Sequence, residues 1–126
     1  LEVEKPRPGI EALFGYPDLL LFSRVYARAR GFDDAVALLG SVVPEGVAAC
    51  CAWGEQGAWG RDAQGHIFHS PARVLESVVD TLGAGDVFNA ASIHSWASVA
   101  DMQACLDEAN ALAGRKCAQV GLSGLV

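Results

Sequence analysis

Asp80-Thr-Leu-Gly-Ala-Gly-Asp86, running on into Val87-Phe-Asn-Ala90, decides how the chain is read. Two glycines flank one alanine, so successive backbone N–H groups can converge without side chains in the way. The residues that follow predict a helix over 86–97. A helix start adds unpaired N–H donors and about +0.5 of a charge. Loop and helix end together make an anion pocket suited to a phosphate or a transferring phosphoryl group. Gly83, Ala84 and Gly85 are its candidate anion hole. Asp86 stands at the mouth, where a carboxylate can accept a proton from an attacking hydroxyl. Taken alone, 83–86 is equally a turn closed by an Asp cap. It is not a Walker A loop, because no Gly-Lys-Ser/Thr follows. Nor is it G-x-G-x-x-G, because Phe88 holds the third glycine's place.

Outward from that stretch, strands and helices alternate. Residues 3–5 end a strand, and residues 10–14 make a short helix closed by Gly15. Asp18-Leu-Leu-Leu-Phe22 is a continuous apolar run after a proline. That suits a strand buried on both faces of a parallel sheet. Residues 25–30 and 33–43 predict two helices divided by Gly31, with Asp33 and Asp34 at the second helix's positive end. Pro44-Glu-Gly46 breaks that helix. Val47-Ala-Ala-Cys-Cys-Ala-Trp53 is a second buried strand, and 54–57 is a turn. Residues 58–61 and 66–69 predict a hairpin around Asp62-Ala-Gln-Gly65. Residues 70–77 read as irregular. A last helix is expected from Ser98, with Asp101 at capping-box spacing. Val99, Met102, Leu106, Ala109 and Ala113 form its buried stripe, and Gly114 interrupts it late. This order implies an α/β sandwich with a mainly parallel sheet flanked by helices.

The chain has 126 residues, enough for one domain or a piece of one. It opens at Leu1 and runs straight into Glu2-Val-Glu-Lys5, which is expected of entry into the middle of a larger protein. With 52% hydrophobic and 19% charged residues it is not a disordered tail. The net charge is −6, and Lys5 and Lys116 are the only lysines, so a nucleic-acid-binding surface is excluded. No apolar run approaches the ~20 residues of a membrane helix. Cys50, Cys51, Cys105 and Cys117 contain no C-x-x-C pair and read as buried thiols of a reducing cytosol. No divalent-metal ligand set is expected. His66 and His69 are three apart on a strand and face opposite ways, and His94 belongs to a polar helix face. Trp53, Trp59 and Trp96 read as core or hairpin packing. Gly121-Leu-Ser-Gly124 lacks the G-x-S-x-G elbow of serine hydrolases.

Val79-Asp-Thr-Leu-Gly-Ala-Gly-Asp-Val-Phe-Asn-Ala90 as a whole resembles the C-terminal signature of the ribokinase (PfkB) family of sugar kinases. Four further stretches resemble its ketohexokinase, or fructokinase, branch. They are Cys51-Ala-Trp-Gly-Glu-Gln-Gly-Ala58, Glu2-Val-Glu-Lys-Pro6, Leu13-Phe-Gly-Tyr16 and Asn110-Ala-Leu-Ala-Gly-Arg-Lys-Cys117 with Gly121, Gly124 and Val126. The resemblance implies a ribokinase-like fold, of which residues 1–126 are the C-terminal part. The N-terminal sugar-binding part and its lid would lie outside. It implies that Asp86 is the catalytic base and that Gly83, Ala84 and Gly85 hold the γ-phosphate. Gly54, Glu55, Gln56 and Gly57 would contact the nucleotide, and Asn110 would line the adenine pocket. Asp80 would help to hold K+ near the anion hole, or equally be a carboxylate satisfied by turn N–H groups.

The implied cosubstrate is ATP with Mg2+, since phosphate charge must be offset and lysines are few. The implied reaction is phosphorylation of a ketohexose, fructose to fructose 1-phosphate, by a cytoplasmic, homodimeric parent. The fragment alone is expected to be inactive. Another ribokinase-family sugar or nucleoside kinase, or a non-catalytic nucleotide-binding fragment, are the alternatives. Two departures stand out. Ala72-Arg-Val-Leu-Glu76 replaces a Phe- and Pro-rich segment, and the chain is short around 22–30.

Overall fold

The computed structural model describes residues 1–72, 84–99 and 101–117. Within them the order is β1 (Glu2–Val3), a 3-10 turn (Ile10–Leu13), β2 (Leu19–Phe22), α1 (Arg24–Ala29), α2 (Ala35–Val42) and β3 (Ala48–Ala52). A second 3-10 turn (Gly54–Gln56), β4 (Ala58–Arg61), β5 (Ile67–Ser70), α3 (Ala84–Val99) and α4 (Met102–Cys117) follow. The strands form one sheet in the order β1-β2-β3-β4-β5. Leu21 pairs with Glu2 on one side and with Cys50 on the other, both in parallel.

The apolar runs do what their period demands. All four residues of β2 are buried. Leu20 and Phe22 point to one face and join Tyr26, Ala27, Leu38 and Leu39 from α1 and α2. Leu19 and Leu21 point to the other and join Phe88 and Ala91 of α3 with Met102, Cys105, Leu106 and Ala109 of α4. The sheet is thus the middle layer of three. Burial of each leucine contributes roughly 1.5–3 kcal/mol. Cys50 and Cys51 are split between the two faces as alternation requires. Both thiols are held protonated. Hydrogen bonding with Cys105 and burial push Cys50 well up, and burial pushes Cys51 up to about 12. Cys50, Cys51 and Cys105 are free thiols. Among the described residues no helix is long and apolar enough to cross a membrane.

The sheet is mixed rather than mainly parallel. β3 pairs antiparallel with β4, and β4 antiparallel with β5. The tight 54–57 turn returns the chain directly beside β3, and a connection that short admits only an antiparallel neighbour. The predicted hairpin is present, with Gly65 at φ 92°. The Asp62 carboxylate accepts from the backbone N–H groups of Gln64 and His66 at its turn. Asp34 caps α2, its Oδ1 accepting from Ala37 N–H at 2.7 Å.

The last two helices divide later than the pattern suggests. Ser98 lies inside α3, and α4 starts at Met102. Asp101 is the cap, its Oδ1 accepting from Ala104 N–H at 2.9 Å. A carboxylate at the positive helix end outcompetes a serine that the preceding helix still holds. Gly114 is carried within α4. The close approach of α4 to the sheet depends on Gly60, where an added Cβ would stand 2.3 Å from Met102 Sδ.

Candidate active site

Asp86 lies in the first turn of α3, and its side chain is exposed. Ala84 and Gly85 are the first two residues of that 16-residue helix. The helix predicted from Asp86 begins two residues earlier, so Gly85 and Asp86 both lie inside its first turn. Phe88 is buried on the sheet two residues on, which anchors the first turn and leaves Asp86 facing outward. Gly83 and Asp80 lie outside the described residues, as do 73–77 and the turn at 121–124.

The second group of site residues gathers at the end of β3. Gly54, Glu55 and Gln56 form a 3-10 turn closed by Gly57. Trp53 N–H donates to the Gly57 carbonyl at 2.8 Å, and Gly57 N–H donates back to Gly54 at 3.0 Å. The three turn residues are exposed, while Trp53 before them is buried. Gly57 takes φ 91°, and a Cβ there would stand 2.1 Å from the Ser70 carbonyl oxygen. The turn is therefore pressed against the end of β5.

Asn110 meets the same place from the other side. Its Nδ2 donates to the Ser70 carbonyl at 2.8 Å. Loop 54–57 and Asn110, distant in sequence, thus converge on Ser70. Three further polar contacts were not legible beforehand. Ser70 Oγ donates to Asp107 Oδ1 at 2.6 Å, and Gln103 Nε2 donates to the His69 carbonyl and to Asp107. Gln103, Asp107 and Asn110 follow i, i+4, i+7 on α4, so they share a face. That face satisfies the carbonyls of the outermost strand, which an open edge would leave for a foreign strand. The helical spacing of three polar residues was the available signal.

Asn110→Ala is expected to cost about 1–2 kcal/mol, because the Ser70 carbonyl loses its donor. Urea unfolding measures this directly. A stability equal to the wild type would show that the bond contributes nothing.

His66 Nδ1 lies 3.3 Å from Asp62 Oδ2. His69 stacks on Trp59 with ring centroids 4.2 Å apart, and its Nε2 donates to the Gln56 carbonyl. The described residues contain no group of three or more His, Cys, Asp or Glu that could hold a metal ion. A cleft of about 380 Å³ opens between the hairpin turn and the α3–α4 junction, lined by Asp62, Gln64, Phe68, Trp96, Asp101 and Met102. Its lining residue on α3, Trp96, stands about 15 Å along the helix from Asp86 at 1.5 Å per residue.

The sequence pattern of the pfkB family of carbohydrate kinases matches residues 5–125. Mouse ketohexokinase is 42% identical over the whole of this chain, which spans 43% of that protein's length. An adenosine kinase from Sinorhizobium meliloti superposes with a TM-score of 0.77 at 28% identity, covering 94% of this chain and 37% of its own. A ribokinase II from E. coli, solved with ATP and Mg2+, superposes with a TM-score of 0.72 at 21% identity. It covers 93% of this chain and 38% of its own, and shows likeness of fold alone.

Proposed function

Because the chain belongs to the pfkB family of carbohydrate kinases, we propose that it is the nucleotide-handling part of a ketohexokinase-like sugar kinase. Residues 1–126 form the C-terminal part of the domain, and the sugar-holding residues lie outside it. The complete enzyme transfers the γ-phosphoryl group of MgATP to the primary hydroxyl of a ketohexose, fructose giving fructose 1-phosphate. Its setting is the cytoplasm, in keeping with buried thiols that are free. The complete form is a homodimer, as the family resemblance implies.

The observation that carries this reading is the place of Asp86 on the first turn of a 16-residue helix, directly after Ala84 and Gly85. The Asp86 carboxylate takes the proton of the sugar hydroxyl. That oxygen bonds to the γ-phosphorus as the bond to the β–γ bridging oxygen breaks, and ADP leaves. Gly83, Ala84 and Gly85 present N–H groups to the oxygens in flight, where preorganised donors act most strongly. Loop 54–57 and Asn110 hold the nucleotide. The divalent ion enters as part of the MgATP substrate, offsetting the charge of its phosphates. Asp80 is proposed as a K+ ligand beside the anion hole.

The test uses the 126-residue chain. It is expected to bind MgATP by calorimetry and to show no fructose-dependent ADP release in a coupled assay. Failure to bind MgATP overturns the nucleotide-handling role. Turnover of fructose by the chain overturns the placement of the sugar-holding residues outside it.

A further inference from the structure

Arg24 follows β2, and Gly54 follows β3. The two strands are parallel neighbours with Phe22 opposite Cys51, so both residues stand just beyond the carboxyl ends of adjacent parallel strands. Ligands of open α/β sheets bind in that position. The guanidinium lies against the Gly54 turn. A Cβ added to Gly54 would stand 3.0 Å from Arg24 Nη1 and 3.4 Å from Cζ and Nη2.

Most neighbouring arginines are already engaged. Arg30 pairs with Glu11 at 2.5 Å, and Arg61 donates to the Leu39 and Val43 carbonyls at the end of α2. Arg28 sits over the Trp53 ring, 5.8 Å from its centroid. Arg24 is half-buried and, among the described residues, has neither a hydrogen bond nor an ion pair. It also occupies the first position of α1, where the helix N-terminus disfavours a cation. A half-buried, unpaired cation at that end is unfavourable unless an anion completes it.

We infer that Arg24 is a further nucleotide-binding residue, its guanidinium fork taking the phosphate chain of the nucleotide held by the 54–57 turn. This rests on the reading of that turn given above. A planar fork suits phosphate oxygens, which it can grip with two parallel hydrogen bonds. The chain has only two lysines to share this task.

The test measures MgATP affinity of the chain at low and at physiological salt for the wild type, Arg24→Gln and Arg24→Lys. Thermal melts check that each variant is folded. Arg24→Gln is expected to weaken binding about 10-fold or more at low salt and to flatten the salt dependence. Arg24→Lys keeps the charge, and its salt dependence stays that of the wild type. A folded Arg24→Gln that binds MgATP as the wild type does overturns the assignment while the nucleotide reading stands. So does a loss of affinity with an unchanged salt dependence, which marks a packing role. Should Arg24→Gln fail to fold, Arg24→Lys decides, and a flattened salt dependence in that folded variant overturns it. No MgATP binding by the wild type overturns both.

Discussion

Asp86→Asn is expected to abolish turnover by the complete kinase, a fall of about 10³-fold or more in kcat, while MgATP affinity stays within a few-fold. The substitution is close to isosteric and removes only the proton acceptor. Asn is tolerated at helix starts much as Asp is, so α3 keeps its first turn. Phe88 and Ala91 still fasten that turn to the sheet. The fold and the nucleotide site are therefore preserved, and what is lost is the group that can take the hydroxyl proton. General-base help is typically worth ~10²–10⁴ in rate, and the lost charge adds to the loss. Steady-state kinetics with a coupled ADP assay, alongside calorimetric titration with MgATP, separates the two effects. Near-normal kcat in the variant would remove Asp86 from the role of base.

Local chemistry made much of this structure legible, and long-range pairing concealed the rest. A continuous apolar run at 18–22 has only one comfortable place, between two helical layers, and β2 is found there with all four residues buried. Asp34 announces a helix start because its short carboxylate reaches the next free N–H groups, and it does so in the structure. The boundary between α3 and α4 was harder, since Ser98 and Asp101 both suit a cap and the structure uses the carboxylate. The direction of β4 was set by the closure of the turn before it, which weighs more than the parallel habit of β1 to β3. At the site, a helix start close to Asp86 was readable from the residues that follow it. The meeting of Gly57, Ser70 and Asn110 was not, because nothing local says that α4 crosses the end of β5. Arg24 was missed for the same reason, as its partner turn lies thirty residues away in the chain.

Gly57→Ala is expected to be the most damaging single substitution among the described glycines. Two terms act together. The φ of 91° with ψ of −140° is a conformation that only glycine takes at low cost, and holding alanine there costs about 1–3 kcal/mol. The new methyl would also stand 2.1 Å from the Ser70 carbonyl oxygen, 2.7 Å from Ala72 N and 2.8 Å from Pro71 Cα, all of them backbone atoms. Backbone cannot swing aside as a flexible side chain can, so the turn or the end of β5 must move. Moving the end of β5 breaks the Asn110 bond to Ser70 and the Ser70 bond to Asp107. The sum is about 3 kcal/mol or more, a large part of the 5–15 kcal/mol that holds a typical domain. A fall of about 10 °C or more in the melting temperature follows. MgATP binding should fall with it, because the same displacement separates loop 54–57 from Asn110. Gly15→Ala is the control, since an added Cβ there meets nothing within 4 Å and the backbone is not left-handed. A melting temperature for Gly57→Ala within about 2 °C of that control would mean that the turn is not pressed against β5 as the structure has it.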